Sequence, residues 1–222
     1  MVSEKVKCLR FSISPWTAHL PGQYYGIKLV DRADNFVEKY YSVANSNTET
    51  GVVELGVQLI EGGEVSPTLH MLQSGDSIFI KGPLGSHFSW IPHPHKDITF
   101  IAGGSGIVPF MSFLRTHRIQ NVDNRILLLA SFKNVQNTPY FNEISKTHSR
   151  FQSFITLTQE SGGQWKGAKG RITKETILTY KEALNNSQGE IFVCGSSRFV
   201  EAMVGHLKSV HIHSKVNVEM FG

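Results

Sequence analysis

A glycine-rich turn between an apolar run and a helical pattern is the segment best suited to chemistry. The run Thr99–Ala102 leads into three glycines, at positions 103, 104 and 106, and the helical pattern begins near Pro109. Glycines permit a tight turn and the close approach of a ligand to the backbone, and a helix start attracts a pyrophosphate. Because Pro109 stands where G-x-G-x-x-G has its third glycine, dinucleotide binding and a purely structural turn are equally open.

A second candidate anion site lies nearer the N-terminus, in residues 61–72. Two glycines precede Ser66, which we predict to be the N-cap of a helix over Ser66–Leu72, with Pro67 at the first helical position. Taken alone, this stretch is more typical of a plain turn and a short helix. Two such sites in different halves of one chain favour a nucleotide in each half, a flavin in one and a pyridine nucleotide in the other.

The third candidate is the run Lys-Tyr-Tyr-Ser at residues 39–42. On a β-strand Lys39 and Tyr41 face one way, and Tyr40 and Ser42 face the other. Lys39 could meet a phosphate, a tyrosine ring could lie on a planar ligand, and Ser42 could offer its hydroxyl to a ring nitrogen. The residues by themselves favour an ordinary strand with tyrosines.

The elements that must position these residues differ between residues 1–95 and residues 96–222. Short β-rich runs separated by turn residues predict a small antiparallel barrel in the first half. The predicted strands are Val6–Ile13, Gln23–Val30, Glu38–Ala44, Val52–Ile60 and Ser77–Lys81, and Trp90–His95 is the predicted linker.

Short apolar strands alternate with helical stretches in the second half, which predicts a Rossmann-like parallel sheet with helices on both faces. The predicted strands are Ile98–Ala102, Ile126–Ser131, Phe154–Leu157, Ile191–Cys194 and Val216–Met220. The predicted helices are Pro109–His117, Tyr140–Thr147, Lys174–Tyr180 and Arg198–Leu207.

The overall composition argues against several classes of function. The 222 residues carry a net charge of +4, and the basic residues are scattered, so we expect no nucleic-acid partner. No apolar run approaches the roughly 18 residues of a membrane span. The first residues lack the apolar core of a signal peptide, so a cytoplasmic location is expected.

The residues that bind metals in proteins are poorly arranged for that role. Cys8 and Cys194 are the only cysteines and form no C-x-x-C, whereas an iron–sulfur cluster normally takes four thiolates. The pairs His93/His95 and His211/His213 have ligand-like spacing but no cysteine or acidic partners near them. We therefore predict no metal site.

Taken in order, the chemical segments resemble those of the ferredoxin–NADP reductase superfamily. The match extends over nearly the whole chain, and it is the order of several modest motifs that makes it specific. The motifs are Pro21-Gly22-Gln23-Tyr24, Lys39-Tyr40-Tyr41-Ser42, Gly63-Glu64-Val65-Ser66, Gly82-Pro83-Leu84-Gly85, Gly103–Pro109, Val193-Cys194-Gly195 and Glu219-Met220-Phe221.

The resemblance implies a role for each matched residue. Lys39 would neutralise a flavin phosphate, Tyr41 would contact the isoalloxazine and ribityl chain, and Ser42 would lie near flavin N5. Cys194, Glu219 and Phe221 would border the position where the nicotinamide stacks on the flavin, so Ser42, Glu219 and Cys194 are the implied reaction centre. The remaining implied contacts are Tyr40, Gly63, Val65 and Ser66 for the flavin, and Gly103, Gly104, Ser105, Gly106 and Gly195 for the dinucleotide.

The implied activity is electron transfer from NAD(P)H through bound FAD, rather than FMN, to a separate acceptor such as an iron–sulfur protein or an oxygenase component. Two alternatives are an NAD(P)H:flavin reductase that releases reduced flavin and a binding or regulatory module without turnover. Lys133 follows the predicted second strand of the second half, where NAD-type folds carry a carboxylate. A cation there would accept a 2′-phosphate, which favours NADPH slightly over NADH.

Three features depart from the family pattern. Lys39 replaces an arginine and is a point charge, which predicts a weaker and less directional hold on phosphate. Ser196 and Ser197 stand where a proline is common, a change we expect to be tolerated. The first barrel strand is shortened or missing, so an open edge would need cover from a loop or from another chain.

Overall fold

Alternating runs in the N-terminal half form antiparallel strands, and continuous apolar runs in the C-terminal half form parallel ones. The computed structural model describes residues 2–30, 36–91, 93, 96–161, 163, 165–186 and 189–221. The chain divides into two compact units: unit 1 is Met1–Ile91 with Val108–Gln120, and unit 2 is Pro92–Ile107 with Asn121–Gly222. The predicted fold class, an antiparallel barrel followed by a parallel α/β domain, is confirmed. The domain boundary predicted after residue 95 falls outside the described residues and stays a prediction.

The β-strands of unit 1 form two small sheets that are joined by a bridge. The elements are β1 (Val6–Ser12), β2 (Tyr24–Val30), β3 (Phe36–Ser42), β4 (Val52–Gln58), α1 (Ser66–Met71) and β5 (Ile80–Leu84). β1 pairs with β4, β2 lies between β3 and β5, and every pairing is antiparallel. A bridge between Val43 and Leu55 connects the two sheets.

Alternation along β2 shows why these residues form a half-buried sheet. Tyr25 and Ile27 are buried in the core, whereas Lys28 and Val30 are exposed. The buried side of β4 completes this core with Val53, Leu55 and Val57. Burying each such aliphatic side chain contributes roughly 1.5–3 kcal/mol.

Each strand of unit 1 differs from its predicted bounds by at least one residue, and β5 and β3 show why. The prediction of a strand at Ser77–Lys81 is wrong, because the pairing with β2 runs from Ile80 to Leu84. Pro83 fits that strand because the register is irregular there, so no ladder N–H is required of it. The strand predicted over Glu38–Ala44 ends at Ser42: the Val43 amide still bonds to the Gln23 carbonyl, but the Ala44 amide bonds to the Glu54 carbonyl of β4 instead.

Helix α2 (Val108–Gln120) belongs to unit 1, although it follows a strand of the other unit in sequence. Phe110 and Phe113 of α2 pack against Phe88 with ring centroids 5.8 and 6.4 Å apart. Trp90 stacks on Phe113 at 5.5 Å and is buried, so the first residue of the predicted linker packs within unit 1. The end of that predicted linker, at residues 92, 94 and 95, lies outside the described part of the chain.

Unit 2 is built on one parallel sheet. Its strands are β6 (Ile98–Gly103), β7 (Ile126–Phe132), β8 (Phe151–Leu157), β9 (Ala168–Lys169), β10 (Glu190–Ser196) and β11 (Lys215–Phe221). Within the described residues the strand order is β11-β10-β6-β7-β8-β9, and every neighbouring pair is parallel. A 3₁₀ turn, Gly104–Ile107, follows β6 directly.

The helices of unit 2 are α3 (Phe141–Ile144), α4 (Lys174–Thr179), α5 (Lys181–Leu184) and α6 (Ser197–Ser209). The helix predicted over Tyr140–Thr147 is wrong beyond one turn, because His148 already pairs with Phe151 at the start of β8. β8 therefore begins three residues before the predicted strand, while β9 and α5 are too short to give a sequence signal. Among the described residues, no helix has the length and apolar character that crossing a bilayer requires.

Candidate functional site

The carboxyl edge of the parallel sheet gathers the residues predicted to bind a dinucleotide. β6 ends at Gly103, and Cys194 of β10 lies opposite Ala102 on one side and Glu219 of β11 on the other. In the same register Ser196 lies opposite Phe221, at the ends of β10 and β11. Residues from three separate sequence segments are therefore neighbours at the edge where open α/β sheets bind ligands.

The glycines of the turn after β6 are required for two different reasons. A Cβ atom on Gly106 would lie only 2.2 Å from the carbonyl oxygen of Cys194, so only glycine allows this approach to β10. Gly104 has a φ of +56° and nothing within 4 Å of its Cβ position. Its backbone therefore faces open space in a conformation that favours glycine. An open glycine backbone beyond a buried strand fits the close approach of a pyrophosphate.

Phe199, which the sequence analysis missed, lies against two of these glycines. Built Cβ atoms on Gly103 and Gly195 would come within 2.7 and 2.8 Å of its ring. The Phe199 amide donates to Ser196 Oγ at 3.4 Å, so Ser196 is the N-cap of α6. This cap gives Ser196 a structural role at a position where the family commonly has proline.

Cys194 is suited to a role in shape. Its side chain is fully buried, and burial, followed by the charge of Glu219, raises the pKa of the thiol well above its ordinary value. A neutral, buried thiol is a poor nucleophile. Glu219 is half-buried on the neighbouring strand and is the nearby source of negative charge.

Lys133 follows β7 and is exposed, as expected of a residue that could meet a 2′-phosphate. The sequence analysis missed a carboxylate beside the same loop: Glu160 Oε2 accepts a hydrogen bond from the Val135 amide at 3.2 Å. This acid follows β8, so a search for an acid at the end of β7 could not find it. The Gln159 amide also donates to the Lys133 carbonyl at 2.7 Å. A 2′-phosphate near this loop would meet both a cation and an anion.

In unit 1, β3 presents its residues on alternate faces. Tyr41 packs on the core, and burial raises its pKa to about 12. Tyr40 is exposed on the opposite face, with its ring edge-on to Tyr24 at 5.5 Å. Lys39 is exposed and Ser42 is buried at the end of the strand. A cation, two aromatic rings and a hydroxyl therefore lie along one short strand, a set that fits a phosphate-bearing planar ligand.

Helix α1 is held firmly, but not as predicted. Val65 is its N-cap, so the prediction of Ser66 as N-cap is wrong. Ser66 is already helical, and its Oγ accepts from the Ile60 amide at 2.9 Å instead. Gly63 lies close over Ile60 as well, because a Cβ there would be 2.9 Å from the Ile60 carbonyl oxygen. The predicted residues Gly63, Val65 and Ser66 thus form one tight turn into α1.

The other end of α1 is fixed by a lysine from β1. Lys7 Nζ donates to the carbonyl groups of His70 and Leu72 at 2.8 Å each, which caps the negative end of the helix. His70 Nε2 also contacts the Val57 carbonyl of β4 at 2.9 Å. The C-terminal end of this short helix is therefore tied to β1 and β4, and its first turn is tied to Ile60, just after β4.

Comparison with known families decides the relationship. An oxidoreductase FAD-binding domain family matches residues 1–90, and an oxidoreductase NAD-binding domain family matches residues 100–205. A ferredoxin NADP⁺ reductase from Neisseria gonorrhoeae, solved with bound FAD and NADP, shares the fold with a TM-score of 0.80 at 20% identity. That alignment covers 99% of this chain and 94% of the other. The chain belongs to the ferredoxin–NADP reductase superfamily.

Other proteins resemble this chain in fold or in sequence. The FAD/NAD binding domain of nitric oxide dioxygenase from Vibrio cholerae has a TM-score of 0.85 at 19% identity, over 99% of this chain and 94% of that one. NADH-cytochrome b5 reductase 2 of Neurospora crassa is 28% identical over 94% of this chain and 63% of its own length. NADH-cytochrome b5 reductase 1 of Laccaria bicolor is 28% identical over 85% of this chain and 62% of its own. This chain thus spans less than two thirds of these curated relatives.

These matches confirm the predicted cofactor types, FAD and a nicotinamide dinucleotide, at the level of the two domains. They also confirm that both domains are of oxidoreductase type. The roles assigned to individual residues stay predictions. Within the described residues, no group of three or more histidine, cysteine or acidic side chains is arranged to hold a metal ion.

Proposed function

We propose that this protein is an NAD(P)H-dependent reductase with bound FAD, which passes electrons to a separate acceptor protein of the cytochrome b5 type. The observation that carries the proposal is the succession of a FAD-binding and a NAD-binding oxidoreductase domain in one chain. The type of acceptor is inferred from the relatives, which are named NADH-cytochrome b5 reductases. FAD, when bound, would accept a hydride from the nicotinamide and release electrons singly or in pairs.

The residues of unit 2 would bind and orient the dinucleotide. The open backbone of Gly104, with Gly103, Ser105 and Gly106, would hold the pyrophosphate. Cys194, Glu219, Gly195 and Phe221 would border the nicotinamide at the carboxyl edge of the sheet. Because the Cys194 thiol is buried and neutral, it would shape this place without reacting.

The residues of unit 1 would hold the flavin. Lys39 would offset the charge of a phosphate, and the turn of Gly63, Val65 and Ser66 would direct backbone amides toward the same group. Tyr41 would contact the isoalloxazine and the ribityl chain, and the Ser42 hydroxyl would hydrogen-bond the flavin ring. Lys39 binds with one charge rather than a fork, so the hold on phosphate should be moderate.

The visible spectrum of the purified protein tests the proposal. We expect flavin absorbance that bleaches when NADH or NADPH is added without oxygen. The double variant Ser42→Ala/Glu219→Ala should slow this bleaching, whereas Glu201→Ala, an exposed carboxylate on α6, should not. Equal bleaching rates in wild type and the double variant would show that the reaction centre lies elsewhere.

The acceptor needs a separate assay. We expect a cytochrome b5-type haem protein to be reduced in a reaction that saturates with its concentration while FAD stays on the enzyme through gel filtration. A colourless protein that reduces added FAD but not the haem protein would favour the flavin reductase alternative. Comparing kcat/KM for NADH and NADPH would define the coenzyme.

A further inference from the structure

The turn that follows β3 is fully buried and held by hydrogen bonds. Val43, Ala44, Asn45 and Ser46, which come directly after Ser42, are each 0% exposed. The Val43 amide donates to the Gln23 carbonyl at 3.0 Å, and the Ala44 amide to the Glu54 carbonyl at 2.8 Å. Gln23, just before β2, and Glu54 of β4 therefore hold the first two amides of this turn, and we refer to residues 43–46 as the flavin turn.

Helix α2 holds the carbonyl side of the flavin turn. Ser112 Oγ donates to the Asn45 carbonyl at 2.7 Å, and Arg115 Nη1 donates to the Ala44 carbonyl at 3.0 Å. Thr116 Oγ1 and Ser46 Oγ lie 3.1 Å apart in a third hydrogen bond. The three α2 residues are spaced three and one positions apart, so they lie on one face of the helix.

A buried carboxylate fixes the arginine of this arrangement. Glu54 Oε1 accepts from Arg115 at 2.7 Å, and its Oε2 accepts from Arg10 at 2.9 Å. The Glu54 amide also donates to Asn45 Oδ1 at 2.8 Å, which ties the carboxylate residue to the flavin turn itself. Ion pairs with a buried carboxylate contribute little net stability after desolvation, and in some proteins they specify one geometry.

The contacts of α2 with residues 43–46 are not expected from its place in the sequence. Ser112 and Arg115 lie in the stretch matched by the NAD-binding domain family, yet α2 belongs to the unit that contains β3. Burying polar groups of both the helix and the turn costs free energy unless each group has a hydrogen-bond partner, so this arrangement calls for a functional explanation. The turn lies directly after Ser42, the residue assigned to the flavin ring.

We propose that Ser112 and Arg115 of α2, with Glu54, are positioning residues for the flavin, which act by fixing residues 43–46 and hence Ser42 and Tyr41. The inference rests on the proposed function. With carbonyls 44 and 45 held by α2, and amides 43 and 44 held by Gln23 and Glu54, the backbone has little freedom to move Ser42. Loss of one α2 donor lets the turn shift by a fraction of an ångström, which is enough to weaken a hydrogen bond to the flavin ring.

The test compares Ser112→Ala, Arg115→Gln and Arg115→Lys with the control Arg118→Gln, an exposed arginine on the same helix. FAD affinity is measured by quenching of flavin fluorescence, and the position of the flavin ring by its visible absorption and midpoint potential. We expect Ser112→Ala and Arg115→Gln to weaken FAD binding about tenfold, the effect of one lost hydrogen bond to a positioned group. Flavin reduction should slow while the KM for NADH stays unchanged.

Arg115→Lys keeps a donor for Ala44 or for Glu54, so it should recover part of the loss, and Arg118→Gln should match wild type. Wild-type FAD affinity, spectrum and reduction rate in Ser112→Ala and Arg115→Gln would overturn the inference. If Arg115→Gln does not fold, Ser112→Ala decides, because His19 Nε2 still contacts the Asn45 carbonyl at 3.2 Å. A wild-type protein that binds no FAD would instead overturn the proposed function.

Discussion

Replacing Gly106 with alanine should separate the glycine turn from the sheet. The new Cβ would lie 2.2 Å from the Cys194 carbonyl oxygen, 2.5 Å from its carbon and 2.7 Å from the Gly195 nitrogen. These are backbone atoms of β10, which is paired on both sides by β6 and β11 and has little room to move. We expect a loss of roughly 3 kcal/mol in the free energy of unfolding, at the upper end for overpacked sites.

Alanine at two other glycines serves as a control, and the expected changes in the free energy of unfolding have opposite signs. Gly104 has open space around its Cβ position but a φ of +56°, so Gly104→Ala should destabilise by only about 1 kcal/mol. Gly205 lies inside α6 with nothing within 4 Å of its Cβ position, so Gly205→Ala should stabilise by about 0.5–1 kcal/mol.

Urea denaturation and the KM for NADH together test this reasoning. From most to least stable, the expected order is Gly205→Ala, wild type, Gly104→Ala and Gly106→Ala. The KM should rise at least about tenfold in Gly106→Ala, since a misplaced turn loses contacts with the pyrophosphate, and should not change in Gly205→Ala. If Gly106→Ala unfolds at the same urea concentration as wild type, the turn does not approach β10 as closely as the structure indicates.

Three further predictions concern titration and thiol chemistry. Burial would raise the pKa of Glu54, but the hydrogen bonds and charges of its arginine partners outweigh burial and hold the pKa below its ordinary 4.5. The free energy of unfolding should therefore fall as the pH drops below about 4.5, and Glu54→Gln should flatten that part of a series of thermal melts. Burial lowers the pKa of His19 below 6.5, so stability should also fall as pH drops through about 6.5, and His19→Gln should remove this slope. Burial, with Glu54, raises the pKa of the Cys8 thiol to about 12, and Cys194 is fully buried; a chromogenic disulfide reagent at neutral pH should therefore find no rapidly reacting thiol until urea is added.

Much of the fold was predictable because its signals are local. The apolar runs of β6, β7 and β10 mark buried parallel strands, and glycines at their ends mark the turns. The exposed Tyr40 and the half-buried Tyr41 follow from alternation along one strand. Short elements such as β9 could not be predicted, because two residues carry no periodicity.

Side-chain partners were less predictable than elements. Ser66 has the residue type and the position of an N-cap, yet its hydroxyl bonds to Ile60 because the tight turn brings that amide closer. β5 begins later than its apolar pattern predicts because pairing with β2 sets its register. Phe199 gave no signal at all, since the two glycines under its ring lie on different strands.

The sequence by itself determined the two kinds of sheet, the order of the cofactor motifs and the glycines that the nucleotide turn requires, because these depend on residues that are neighbours in the chain. The tertiary structure alone decided that α2 packs in unit 1 and that Arg115 reaches Glu54, 61 residues away, beside the turn after Ser42. Hydrophobic burial is not directional, so the apolar face of a helix can pack against many different apolar surfaces. Only the folded chain shows which buried polar groups then find one another.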